Sequence, residues 1–169
     1  MYEKFGQFID GNWSPSENKE TYEVINPATE EVLGHASKAT PADVERALKS
    51  AEQGLQVWKK TPPWQRSYVL RKIADKMREK KDVLAKWMTL ENGKPLAEGV
   101  GETNGAADIF EWNAEETKRI FGQTIESRFE DTRVHVYYQP VGVVAALSPW
   151  NFPLILAARK ISTANPPPR

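Results

Sequence analysis

Ser148-Pro149-Trp150-Asn151-Phe152-Pro153 follows directly on the run Val141-Gly142-Val143-Val144-Ala145-Ala146-Leu147, and the fold turns on how this join is read. The run does not alternate, is rich in valine and lies between Pro140 and Pro149. It reads as a parallel strand buried on both faces. Pro153 then suits the first turn of a helix carrying Leu154, Ile155, Leu156, Ala158 and Ile161. Strand, turn and helix in this order are how a doubly wound α/β sheet begins, and ligands gather at the carboxyl ends of its strands. A carboxamide at such an end, Asn151, can donate two N–H bonds to an oxygen that becomes negative during a reaction. The same residue can cap the next helix or fill a turn, and position alone favours the cap.

Working back toward the N-terminus, Thr132 to Tyr138 alternates, with Val134, Val136 and Tyr138 on one face, as an edge or arm strand does. Before it, Pro95 permits a long helix with Leu96, Val100, Ala107, Phe110 and Ala114 spaced for burial, ending near Gly122. Asn92-Gly93 reads as the C-terminal cap of a shorter helix holding Val83, Leu84, Trp87 and Met88. A further helix after Thr61-Pro62-Pro63 turns Val69, Leu70, Ile73, Ala74 and Met77 inward. Thr40-Pro41-Ala42-Asp43 supplies an N-cap, a proline at the first helical position and an acidic third residue. The helix it opens carries Val44, Ala47, Leu48, Ala51, Leu55 and Trp58 on one face. Asp10-Gly11 and Asn26-Pro27 mark turns in a small antiparallel N-terminal sheet.

Composition excludes several functions. Lys and Arg total 23, as do Asp and Glu, with no block of like charge, which argues against a nucleic-acid partner. No apolar run is long enough to span a bilayer and the N-terminus lacks a signal-peptide core, so no membrane partner and a cytoplasmic location are expected. The absence of cysteine removes disulfides, thiolate metal sites and a cysteine nucleophile from these residues. Glu98 and Glu102 lie one helical turn apart, as do Glu111 and Glu115, and both pairs read as solvated charges on an exposed face. His35 and His135 have no ligand spacing, so no metal site is expected. Gly99 and Gly101 fall within a helix, which leaves no phosphate-cradling loop.

Taken together, FIDGNW, EVINPATEEVLGHAS, TPADVERALKSAEQGLQVW, TLENGKPLAE and above all QPVGVVAALSPWNFPL resemble the NAD(P)-dependent aldehyde dehydrogenases. ENGKPLAEGVGE followed by FEWNAEETKRIFG looks most like the succinate-semialdehyde dehydrogenase branch. The resemblance covers the N-terminal third of a family chain. It implies hairpins and helices of the cofactor-binding domain over residues 1–122 and oligomerisation-arm strands over 123–140. The first strand, turn and helix of the nucleotide-binding sheet would follow over 141–164, and 165–169 would form a non-family tail.

By the same resemblance Asn151 is an oxyanion donor, and Leu147, Ser148, Pro149, Trp150 and Asn151 lie along NAD or NADP. Phe152 lines the substrate tunnel, and Arg159 pairs with the distal carboxylate of a small aldehyde such as succinic semialdehyde. A guanidinium fork fits a carboxylate in two parallel hydrogen bonds, and the competing reading of Arg159 is a helix-surface charge. In the family reaction a cysteine thiolate attacks the aldehyde, hydride leaves to the nicotinamide, and a glutamate-activated water hydrolyses the thioester. The resemblance further implies a homo-oligomer, and a chain cut short or frame-shifted after Ala164 that is inactive alone. The alternative is a non-catalytic interaction protein pairing with itself or a full-length subunit. An independent acid–base enzyme would need two convergent perturbed groups, which the sequence does not offer.

Overall fold

Thr40 starts the helical part of the molecule as its sequence requires. Its hydroxyl accepts the Asp43 N–H at 3.2 Å while the Asp43 carboxylate accepts the Thr40 N–H at 2.9 Å, a reciprocal capping box. The computed structural model describes residues 6–164; the tail expected over 165–169 lies outside the described residues. In chain order it contains β1 (Gln7–Ile9), β2 (Asn12–Ser14), β3 (Thr21–Ile25), β4 (Val32–Ser37), α1 (Pro41–Trp58), α2 (Pro63–Glu79), α3 (Lys81–Asn92) and α4 (Leu96–Glu116). β5 (Gln123–Glu126), β6 (Arg133–Val136) and α5 (Pro153–Ala164) complete it.

The strands form three antiparallel pairs, β1 with β2, β3 with β4 and β5 with β6. Asp10 and Gly11 both have positive φ, at 53° and 75°, between paired Ile9 and Asn12. That is the turn whose twist matches a hairpin. Asn26 makes the next turn, accepting the Ala28 N–H through its side chain at 2.9 Å.

The core forms where α2, α4 and α5 meet, around Leu70, Ala74, Ala106, Ala107, Phe110, Ala114 and Ala158, with Ile73, Met77, Leu154 and Ile155 against it. Alanines at these positions let helix axes approach closely. Gly99 takes this further, because a Cβ there would sit 3.0 Å from the Ala85 carbonyl oxygen of α3. A polar link closes α4 on α5. The Asn113 amide donates to Ser162 Oγ at 3.0 Å, and the serine hydroxyl donates to the Ala158 carbonyl at 2.6 Å.

Three expectations do not hold. Residues 141–147 join no ladder, and Val141 and Leu147 are 90% and 80% exposed. A parallel strand exists only with neighbours to bond, and no parallel pair is present among the described residues. The apolar face of α1 is only partly covered, with Val44 and Leu48 exposed and Leu55 and Trp58 half-buried, and Val83 and Leu96 are exposed as well. Helical period reports amphipathicity, whereas burial also needs a packing partner. Finally α4 stops at Glu116 rather than near Gly122, tightening through Lys118 N–H to Glu115 O at 3.2 Å and Arg119 N–H to Glu116 O at 2.8 Å.

Two stability predictions arise here. Gly93 caps α3 at φ 79°, and a Cβ there would meet Pro27 Cγ at 3.0 Å. Gly93→Ala is expected to lower unfolding free energy by about 1–2 kcal/mol. Urea denaturation checks this as a lower midpoint at unchanged slope; an unchanged midpoint contradicts it. Asp43 is buried, and its carboxyl is held well below its ordinary value of 3.8, foremost by the Thr40 N–H. Burial opposes the shift, while Arg46 and the Glu17 N–H reinforce it. A depressed folded-state pKa gives stabilisation that is complete above the unfolded value and is lost as pH falls below it. The melting temperature of the parent chain should therefore fall between about pH 5 and pH 2 more steeply than that of Asp43→Asn. Parallel slopes would remove Asp43 as the cause.

Candidate functional site

The site is built on a stripe of small residues along α4. Gly99, Glu102, Thr103, Ala106 and Phe110 recur at helical spacing, and all are buried. A carboxylate inside such a stripe needs compensation. Glu102 finds it at the start of α5, where its Oε1 accepts the N–H groups of Leu154 at 2.8 Å and Ile155 at 3.1 Å. Its Oε2 pairs with the ammonium of Lys94, and the two side chains are 1% and 6% exposed. The solvated reading of Glu102 is thereby corrected. Glu98 is exposed, and Glu111 and Glu115 are partly exposed and paired with Arg71 and Arg78 on α2.

The left-handed turn at Gly93 delivers Lys94 to this position. From there Lys94 Nζ donates to the backbone carbonyl of Asn151 at 3.2 Å and lies 4.5 Å above the centre of the Phe152 ring. Asn92 Nδ2 donates to the Trp150 carbonyl at 3.1 Å, and Lys160 donates to the Leu147 carbonyl. The connection from Leu147 to Phe152 is thus pinned through its backbone by α3, the α3–α4 turn and α5.

Accounting for the first turn of α5 decides what the Asn151 side chain is not doing. Pro153 has no N–H, Leu154 and Ile155 donate to Glu102, and Leu156 donates to the Phe152 carbonyl at 3.2 Å. No helix-start donor in this turn is left for a side-chain cap. Asn151 is exposed, and among the described residues its carboxamide makes no hydrogen bond.

Leu147, Ser148, Pro149 and Trp150 are exposed and uncharged, with Trp150 80% exposed. Phe152 is half-exposed beside Lys94. Arg159 is exposed on α5 without a carboxylate partner among the described residues. The structure therefore places the Leu147–Phe152 residues on one continuous turn, with Arg159 on the helix that follows. His35 and His135 sit exposed on β4 and β6, and no metal-binding group of three or more His, Asp or Glu exists among the described residues. Sequence reading missed Lys94 and the role of Glu102. The signal was available in the register, since Glu102 shares the face of Gly99, Ala106 and Phe110.

The turn from Leu147 to Phe152 thus presents an unbonded carboxamide directly before α5. The chain matches the aldehyde dehydrogenase family over residues 13–165 and belongs to that family. It is 43% identical to the glutarate-semialdehyde dehydrogenase of Pseudomonas aeruginosa over 157 residues, covering 93% of this chain and 32% of that protein. With the NADP(+) succinate-semialdehyde dehydrogenase of Escherichia coli it shares 42% identity over 156 residues, 92% of this chain and 32% of that one. Its fold superposes on betaine aldehyde dehydrogenase of Staphylococcus aureus, solved with NAD+, at a TM-score of 0.91 and 35% identity, covering 97% of this chain and 34% of that one. The chain spans about a third of the length of the relatives it matches. Among the described residues no helix is long and apolar enough to cross a membrane.

Proposed function

We propose that this chain supplies the oxyanion side of an aldehyde-oxidising site that converts a small semialdehyde, succinic or glutaric, to its dicarboxylic acid. One observation supports it above the rest: the start of α5 is capped by Glu102, which leaves the Asn151 carboxamide unengaged in the turn before the helix. In this reading Asn151 donates to the aldehyde oxygen as it becomes an oxyanion, and because the amide is neutral and pre-placed, no charge must be desolvated. Phe152 walls the substrate path, and Arg159 holds the distal carboxylate in a bidentate pair. The thiolate that attacks the carbonyl comes from outside these residues, which contain no cysteine, so the chain is inactive unless joined to the remaining two thirds.

Leu147 to Asn151 fit one wall of a nicotinamide-dinucleotide cleft, being exposed, uncharged and largely apolar. They would hold NAD or NADP along this turn, where the bound cofactor would serve as the hydride acceptor. The exposed apolar residues 141–147 and the partly covered face of α1 are consistent with surfaces that other parts of a family enzyme cover. The β5–β6 hairpin within residues 123–140 serves as the oligomer arm, residues 1–122 as the N-terminal part of the cofactor-binding domain, and 141–164 as the opening of its sheet.

A chimera tests this reading: residues 13–164 replace the matching third of the E. coli succinate-semialdehyde dehydrogenase. NADP(+)-dependent oxidation of succinic semialdehyde by the purified chimera is the expected result. A folded chimera that binds the dinucleotide yet oxidises no semialdehyde would contradict it.

A further inference from the structure

The Lys94–Glu102 pair is buried, lies outside the turn that carries Asn151, and reaches it from two directions. A pair of charges at 6% and 1% exposure is a poor way to gain stability, since well-packed apolar side chains of like volume do as well or better. What charges supply and apolar groups do not is direction. Lys94 holds the carbonyl of Asn151 itself, and Glu102 holds the amides of Leu154 and Ile155, three and four residues further on. Phe152, between these anchor points, is clamped beneath the Lys94 ammonium. The backbone at Asn151 and on its C-terminal side is thus tied to one ion pair, while its side chain is left free to act.

From this arrangement we propose that Lys94 and Glu102 are positioning residues for the Asn151 carboxamide. The proposal rests on the reading of Asn151 as the oxyanion donor, and it adds how the donor is aimed. Lys94 comes from the α3–α4 turn and Glu102 from the second turn of α4. The pair therefore registers three separate elements against one another at the point where a donor must be held to within about half an ångström. Coupling through one carboxylate also makes the two anchors interdependent: removing Lys94 leaves Glu102 with an unpaired buried oxygen, and removing Glu102 leaves two helix-start amides and a buried ammonium unmet.

Nuclear magnetic resonance on the isotopically labelled 169-residue chain tests the proposal. Scalar couplings across hydrogen bonds should connect the amide nitrogens of Leu154 and Ile155 to the Glu102 side-chain carboxyl carbon. Their absence, including through a spectrum in which these amides are not dispersed, overturns the proposal. The second measurement uses the volume-conserving double variant K94M/E102L, with thermal unfolding as the control. The expected result is a folded chain that has lost the slow exchange of the Leu154 and Ile155 amides and whose Asn151 backbone and side-chain resonances are shifted and broadened. A folded double variant with Asn151 resonances unchanged reduces the pair to a structural role and overturns the proposal. Should the double variant not fold, the couplings in the parent chain decide. None of these readouts depends on turnover, so the donor reading of Asn151 can fail in the chimera while the couplings persist, and the two failures are told apart.

Discussion

Asn151→Ala in the chimera lowers kcat for succinic semialdehyde by about 10²–10³-fold, the usual loss when one preorganised oxyanion donor is removed. The reasoning is differential binding. The carboxamide gains most where the carbonyl oxygen becomes an oxyanion, so the loss should fall mainly on kcat and leave KM within a few-fold. Truncation also leaves the protein intact, because the Asn151 side chain is exposed and bonds to nothing among the described residues, while its backbone carbonyl stays with Lys94. Steady-state kinetics beside a melting curve measures both at once. A kcat within two-fold of the parent chimera would return Asn151 to a turn residue.

Arg159→Ala should act on the other end of the substrate. A charge-assisted bidentate pair contributes about 1.5–3 kcal/mol, so kcat/KM for a semialdehyde with a distal carboxylate falls roughly 10- to 100-fold. An aldehyde of similar length without that carboxylate should be oxidised equally well by both forms, because it never made the pair. The guanidinium is available for this role, being exposed without an internal carboxylate partner among the described residues. An equal loss on both aldehydes would mean that Arg159 supports the helix rather than the substrate.

How much could be read in advance differs by residue. The hairpin at Asp10-Gly11, the box at Thr40 and Asp43, and the cap at Gly93 were legible because each is decided within about four residues by sterics and local hydrogen bonds. Asn151 was legible as a candidate but not as a free group, since its bland role as a cap competes for the same N–H donors. That competition was settled by Glu102, almost fifty residues earlier, and no local pattern announces such a partner. The exposed-face reading of Glu102 failed for the same reason: a charge on a helix is solvated by default until a neighbouring element removes the water.

By itself the sequence determined the N-terminal hairpins, the succession of five helices, the turns and caps, the exclusion of disulfide and thiolate chemistry from these residues, and membership in the aldehyde dehydrogenase family over residues 13–165. These follow from backbone sterics, hydrophobic period and residue identity, all of which are written along the chain. Only the tertiary structure decided which faces are covered: α2, α4 and α5 share a core, whereas Val44 and Leu48 of α1 and Val141, Val143, Val144 and Leu147 are exposed. It also decided that Lys94 and Glu102 meet beneath the Asn151 turn. Burial and the pairing of buried charges depend on what else arrives at the same place, which is a property of packing between elements and not of any one of them.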